Sequence, residues 1–201
     1  SINLKGEVTG FYEGSDGVQA FVRSAKGKIT KIIPTGSTET STFSINSSGE
    51  ITGFYVASGR SSHGFVANAK GEIESFDVPQ AADTTGIGIN DSGDVTGTYE
   101  DNDYGMHGFI RSAAGAITTF DVPNCAGTSP WRINNKGQIS GTCESNNRLV
   151  GFVRNTNGKF VTFRVPDSAH SNEVEDMNNK GQIAGKFEDR DHIFEGFVRT
   201  P

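Results

Sequence analysis

Short runs of alternating apolar and small polar residues, closed off by glycine, fill this chain from end to end, and no segment carries helical spacing. Val8-Thr9-Gly10-Phe11-Tyr12, Ile51-Thr52-Gly53-Phe54-Tyr55, Val95-Thr96-Gly97-Thr98-Tyr99, Ile139-Ser140-Gly141-Thr142-Cys143 and Ile183-Ala184-Gly185-Lys186-Phe187 share one period-two pattern. Each reads as a half-buried strand, and the glycine inside every copy implies close backbone approach. Just ahead of each run stands Ile-Asn-x-x-Gly or Met-Asn-x-x-Gly, beginning at residues 2, 45, 89, 133 and 177. The Asn side chain caps such a turn, and the Gly supplies the positive φ that closes a hairpin with a bulge.

A repeat of about 44 residues follows from those five positions. Strand a ends at the Ile-Asn pair and strand b is the run above. Strand c is Ala20-Phe21-Val22-Arg23 and its counterparts Gly64–Ala67, Gly108–Arg111, Gly151–Arg154 and Gly196–Arg199. A second tight turn ends at Gly27, Gly71, Gly115 or Gly158. Strand d is clearest as Ile73–Pro79 and Ile117–Pro123, where the closing Pro fits an outer or terminating strand. Four strands joined by three short links and one longer one are the plan of a propeller blade. The prediction is an all-β, five-bladed β-propeller in one domain over 1–201, with repeats 1–44, 45–88, 89–132, 133–176 and 177–201; the competing reading is an all-β sandwich. The last repeat stops after strand c and the first begins inside strand a, so the last blade is expected to be incomplete. Three strands are predicted near residues 175–199, with an exposed edge open to self-association.

The stretch His107-Gly108-Phe109 through Ile117-Thr118-Thr119-Phe120-Asp121-Val122-Pro123 to Ile133-Asn134-x-x-Gly137 resembles the bacterial extracellular HAF-type repeat, best in the second and third copies. That resemblance covers the whole chain. It implies a secreted or cell-surface protein of this fold and is silent on chemistry.

Composition narrows the partners. A net charge of −6 argues against nucleic acid and anionic membranes, and no apolar run is long enough to span a bilayer. Nothing in the chain marks a cofactor: phosphate loop, His-Glu-x-x-His, Cys-x-x-Cys and nucleophile elbow are all missing from the sequence.

Candidate chemistry lies in columns of the repeat. The position after strand b holds Glu13, Val56, Glu100, Glu144 and Glu188, a ring of carboxylates for a sugar hydroxyl, a cation or acid–base work, or else a set of solvated loop residues. Before strand c stand Gln19, His63, His107, Val150 and Glu195; the two His could share a site near the axis or each bond locally, while His170 and His192 match neither column. Arg23, Arg111, Arg154 and Arg199 end strand c at the opposite face, where a structural role between blades is expected. Trp131, with Arg132 beside it, could stack on a sugar or fill the interior. Asp101 and Asp103, echoed by Asp189 and Asp191, only faintly resemble a calcium loop.

Cys125 and Cys143 both fall in the fourth copy. A hairpin around Asn134–Gly137 sets residue 143 opposite about residue 128, near enough to Cys125 for a disulfide, which secretion favours. Three functions stand open: carbohydrate binding on the loop face through Glu13, Glu100, Glu144, Glu188, His63, His107, Trp131 and Arg132; a glycan hydrolase or lyase using Glu100, His107 and His63; or an adhesive module without a small ligand. Chemistry is expected where the repeat breaks, at Trp131, Val150 and Arg164.

Overall fold

The computed structural model describes every residue except Asp16, Arg60, Asp167 and His170, and its described residues form strands and turns with no helix. Five antiparallel sheets follow one another along the chain. The first holds β1 (Val8–Gly14), β2 (Gly17–Arg23) and β3 (Ile29–Ile32). The second holds β4 (Ser37–Ile45), β5 (Ile51–Ala57), β6 (Ser62–Ala67) and β7 (Ile73–Phe76). The third is β8 (Asp83–Ile89), β9 (Val95–Glu100), β10 (Met106–Arg111) and β11 (Ile117–Phe120). The fourth is β12 (Thr128–Ile133), β13 (Ile139–Ser145), β14 (Arg148–Arg154) and β15 (Phe160–Phe163). The fifth has three strands, β16 (Asn172–Met177), β17 (Ile183–Glu188) and β18 (Phe194–Arg199), in agreement with the expected short final unit. In the first sheet the place of strand a is taken by a stub, where Ile2 bridges Val8.

Turn chemistry sets this meander. Gly6, Gly49, Gly93, Gly137 and Gly181 all have φ between 75° and 91°, the left-handed region that glycine enters without steric cost. In each turn the preceding Asn accepts two backbone amides; Asn90 Oδ1 takes those of Ser92 and Asp94. The same side chain does a second job that lies beyond turn chemistry. Its amide donates to the carbonyl of the equivalent Asn one sheet further on: Asn3 to Asn46, Asn46 to Asn90, Asn90 to Asn134 and Asn134 to Asn178. A neighbouring ladder joins the Ser47 amide to Asp91, the Asp91 amide to Asn135 and the Asn135 amide to Asn179. Asn46, Asn90 and Asn134 are buried, whereas Asn178, at the end of the row, is exposed.

Packing between sheets follows a second rule. The Phe that ends strand d lies over a glycine of its own strand c: Phe76 over Gly64, Phe120 over Gly108 and Phe163 over Gly151. Its other face meets the next sheet. Phe76 makes an edge contact with Phe109 under Arg111, and Phe163 does so with Phe197 under Arg199. Arg154 covers Phe120 in the same way. Arg111, Arg154 and Arg199 thus have the between-sheet role that their place predicts, whereas Arg23 is exposed. In the first sheet strand d carries Ile32 instead of Phe, and strand c carries Ala20 instead of Gly.

Two details differ from the sequence reading. Strand d is shorter than Ile73–Pro79, for β7 and β11 stop at the Phe. The following Val78 and Val122 leave the ladder to bury themselves in the next sheet's core, Val78 beside Ile89, Val95 and Phe109. The glycine inside strand b is also more demanding than a period-two pattern conveys. Strand a carries a bulge at Phe43, Ile87, Trp131 and Glu175. The bulge drives the carbonyls of Ser41, Thr85, Ser129 and Glu173 into the space where a Cβ on Gly53, Gly97, Gly141 and Gly185 would go.

Candidate functional site

Strand direction places the b–c links and the d–a links at one end of every sheet, and the Asn turns at the other. The predicted columns fall accordingly. Glu13, Glu100, Glu144 and Glu188 stand one per sheet at the loop end, and no ion pair or hydrogen bond joins them to one another among the described residues. The peptide carbonyls of Glu100, Glu144 and Glu188 are pinned instead to the d–a links by the amides of Ala82, Ala126 and Ala169. Glu188 also pairs with His192, at 2.7 Å. His170 lies outside the described residues.

His63 and His107 do not converge on a common centre. Each belongs to its own sheet and bonds the Asp that follows strand d: His63 Nδ1 to Asp77 at 2.9 Å and His107 Nδ1 to Asp121 at 2.9 Å. Tyr55 and Tyr99 lie against the two rings, 5.3 Å and 4.9 Å between centroids. Tyr, His and Asp from strands b, c and d therefore form one stitch at the loop end. The sheets differ at the second ring nitrogen, where His63 Nε2 meets Ser61 Oγ at 3.2 Å and His107 Nε2 meets Asp101 at 3.0 Å. Two carboxylates ask both ring nitrogens of His107 to donate, which requires the imidazolium. The bond to Asp101 raises the His107 pKa above its ordinary value, helped by Asp121, and the same bond holds the Asp101 carboxyl below its own. Asp101 Oδ1 accepts the amides of Asp103 and Gly105, so its carboxylate is engaged within the loop. Among the described residues no group of three or more His, Cys, Asp or Glu is arranged to hold a metal ion.

The fourth sheet replaces this stitch as a unit. Cys143 stands at the Tyr position, Val150 at the His position and Arg164 at the Asp position. Cys125, the equivalent of Ala81, forms a disulfide with Cys143, whose Cα is 5.8 Å away. Register explains the pairing, for Thr128 lies opposite Cys143 and the chain turns back from it to Cys125. At the loop end of this sheet, beneath the link that enters it, lies a cleft of about 370 Å³ lined by Asn124, Ser145, Val150, Thr162, Phe163 and Arg164 among others. Arg164 Nη2 donates to the Ser168 carbonyl at 2.6 Å, which fixes the guanidinium beside the opening. Val150 and Arg164, marked in the sequence as breaks in the repeat, thus meet at one cavity.

Trp131 lies elsewhere. As the bulge residue of β12 it projects from the inner strand of its sheet, on the side where the first strands of neighbouring sheets converge. Its ring is 39% exposed and its Nε1 donates to Thr142. Arg132 pairs with Asp176 of the fifth sheet at 3.0 Å, and its charge, after burial, lowers the pKa of the Ser1 amino group. Phe43 is the bulge residue of the second sheet and stacks on Phe54, 5.9 Å away.

No family model and no curated protein matches the chain. Solved structures do. A streptogramin B lyase aligns over 96% of this chain and 68% of its own, with a TM-score of 0.60 and 17% identity. TolB from Acinetobacter baumannii aligns over 96% of this chain and 50% of its own, with a TM-score of 0.70 and 10% identity. The BP39L lectin from Burkholderia pseudomallei aligns over 97% and 63%, with a TM-score of 0.57 and 9% identity. Sheets of this size, strand order and arrangement define the class: the chain has a β-propeller fold. At these identities the likeness carries the fold alone.

Proposed function

We propose that this protein is a secreted or cell-surface β-propeller of five blades that binds carbohydrate through its loop end. The observation that carries this reading is the cleft at the loop end of the fourth sheet. Its floor is apolar, from Val150 and Phe163, and its rim presents the Arg164 guanidinium, the Asn124 amide and the hydroxyls of Ser145 and Thr162. That is the chemistry a sugar ring asks for: C–H faces against apolar side chains, and paired hydroxyls against planar donors and acceptors. About 370 Å³ is at the small end of ligand sites and suits a single ring or a chain terminus. The disulfide supports an oxidising compartment. The resemblance to the HAF-type repeat supports the same location, and lectins occur among similar folds. A glycan array run on wild type and on Arg164→Ala tests the reading. Signals lost or weakened at least tenfold in the variant are expected; a blank wild-type array, or an Arg164→Ala array equal to wild type, overturns it.

One observation favours a second reading as a glycan-active enzyme. Ser61 Oγ, His63 and Asp77 form a hydrogen-bonded line, and the sister site sets His107 between two carboxylates. Polysaccharide cleavage lost in His63→Ala or His107→Ala supports it, and folded wild-type protein without cleavage removes it.

A further inference from the structure

The fourth sheet has changed in charge as well as in shape, and strand register shows where. Tyr99 pairs with His107 and Cys143 with Val150, so Asp101, two residues past the Tyr, corresponds to Ser145, and Gly105, two before the His, corresponds to Arg148. At these places and after strand d, the second sheet carries Asp77, the third Asp101 and Asp121, and the fifth Asp189 and Glu195. The fourth has no acid at any of them. Ser145 replaces Asp101 and Asp189, Val150 replaces Glu195, and Arg164 replaces Asp77 and Asp121. Arg148 adds a second cation. Cross-strand partners share a face of the sheet and neighbours along a strand alternate. Arg148, opposite Ser145, is therefore on the face of Val150, which lines the cleft, while Glu144 and its partner Leu149 are on the other.

Arg164 is the one charged residue among the described residues that line the cleft. Arg111 and Arg132 are spent on Glu74 and Asp176, but neither Arg148 nor Arg164 is ion-paired with a carboxylate among the described residues. Arg164 Nη2 donates instead to neutral acceptors, the carbonyl and Oγ of Ser168. The net charge of the chain is −6, so the sign at this rim opposes that of the molecule as a whole. Salt limits the general field to about 8 Å, and within that distance the groups at the rim decide what an incoming ligand meets. The cleft belongs to a four-stranded sheet with a neighbour on each side, so its opening is a property of that sheet.

We propose that the cleft selects acidic saccharides, with the sugar ring on the apolar floor and its carboxylate or sulfate on Arg164, supported by Arg148. This rests on the reading of the cleft as a carbohydrate site and adds the sign of its ligand. A planar guanidinium fork matches two oxygens of one oxyanion at once, a match that a single neutral hydroxyl does not offer. Ser168 holds Arg164 at the rim beforehand, and the disulfide ties the link that carries Cys125 to strand b, so little has to be ordered on binding.

The test is a glycan array in matched pairs: uronic acid glycans beside their carboxyl-reduced forms, and sulfated glycans beside unsulfated ones. Signals are expected on acidic members and should fall at least about tenfold when the charge is removed, the loss of one charged hydrogen bond. Whichever pair responds names the oxyanion. The best acidic hit is then titrated by isothermal calorimetry. Arg164→Gln should weaken it by a similar factor, Arg164→Lys by less, and Arg23→Gln, an exposed arginine at the Asn-turn end, not at all. Added salt should weaken the wild type and leave Arg164→Gln nearly unmoved. Thermal melting checks that each variant is folded. Equal signals from acidic and neutral partners, both lost in Arg164→Ala, keep the carbohydrate site and overturn its acidic selectivity. Acidic hits that Arg164→Gln binds as well as wild type overturn the proposal too. A blank array removes the carbohydrate reading and this inference with it.

Discussion

The glycines of strand b offer a test with its control built into the chain. At Gly97 a methyl group would run into the Thr85 carbonyl oxygen and lie 2.9 Å from Phe109 Cε1. Neither neighbour can step aside: the carbonyl belongs to the bulge of β8, and Phe109 is fully buried between sheets. Gly10 is the same position in the first sheet, but the stub there stops at Ser1, and a methyl would meet only Phe21 ring carbons at 3.4 Å, an ordinary contact. Overpacking of a core costs roughly 1–3 kcal/mol, and backbone against backbone belongs at or above the top of that range. Gly97→Ala is therefore expected to destabilise by about 3 kcal/mol or more, while Gly10→Ala is neutral or stabilising by up to ~1 kcal/mol through the stiffer unfolded chain. At about 2–4 °C per kcal/mol for a chain of this size, Gly97→Ala should melt some 6–12 °C below wild type. Urea unfolding followed by circular dichroism, with m values compared, measures both. Equal effects at the two positions would refute the argument, since the same residue in the same strand pattern differs only in whether strand a lies beside it.

Other expectations concern the stitches between sheets. Asn90→Ala removes the turn bonds to Ser92 and Asp94 and the bond to the Asn134 carbonyl; at about 0.5–1.5 kcal/mol each the loss is roughly 2–4 kcal/mol, and Asn178→Ala, exposed at the end of the row, should cost less in the same melt. Reducing the Cys125–Cys143 bond, which closes a loop of sequence separation 18, should lower stability by about 3 kcal/mol and shift the urea midpoint in dithiothreitol. His107 should titrate above its ordinary 6.5 in an NMR pH series, and Asp101→Asn should bring the midpoint down. Because its folded pKa is raised, His107 contributes stability that is fully present below 6.5 and fades as pH rises through the folded value. Asp101 acts in the opposite sense, its contribution fading as pH falls through a depressed value, so His107→Gln should flatten the alkaline limb of a plot of melting temperature against pH.

Much of the fold was legible because its devices are local. Positive φ at a turn glycine and alternation along a strand are properties of a few consecutive residues. So the strands, the turns, the three-stranded last unit and the disulfide could be read from spacing. What spacing conceals is any contact that repeats at the repeat length itself. The Asn side chain looks finished once it has capped its turn, and nothing nearby in sequence hints that it also reaches a carbonyl 44 residues on. A clue did exist in the pairing of Ala20 with Ile32 where other copies pair Gly with Phe, but it needs the sheet register before it can be recognised. The His column left a shared site and local bonding open, and spacing could not choose between them. Equivalent positions on neighbouring units are parallel, not convergent, and each His found its partner 14 residues along its own sheet.

The fourth sheet shows how a repeat makes room for something other than itself. Tyr99 lies against His107 and through it is tied to Asp121, and Tyr99 and Ala81 of the d–a link pack on the same buried cluster. Replacing the Tyr alone would leave the His–Asp pair without its ring. In the fourth sheet all three members change together, to Cys143, Val150 and Arg164, and the link gains Cys125. The disulfide ties the link to strand b covalently, and Cys125 of that link lines the cleft. Arg164, no longer needed to face a His, turns to Ser168 at the rim. The Tyr–His–Asp stitch belongs to the second and third sheets, and the cleft is what sets the fourth apart from them. Filling it offers a direct check on that reasoning: Val150→Phe should leave the melting temperature within a few degrees, because the ring enters space that is already open, and should abolish whatever glycan signal the wild-type array gives. A Val150→Phe protein that still binds as wild type would place the ligand elsewhere, with the inner wall around Trp131 and Arg132 the next surface to test.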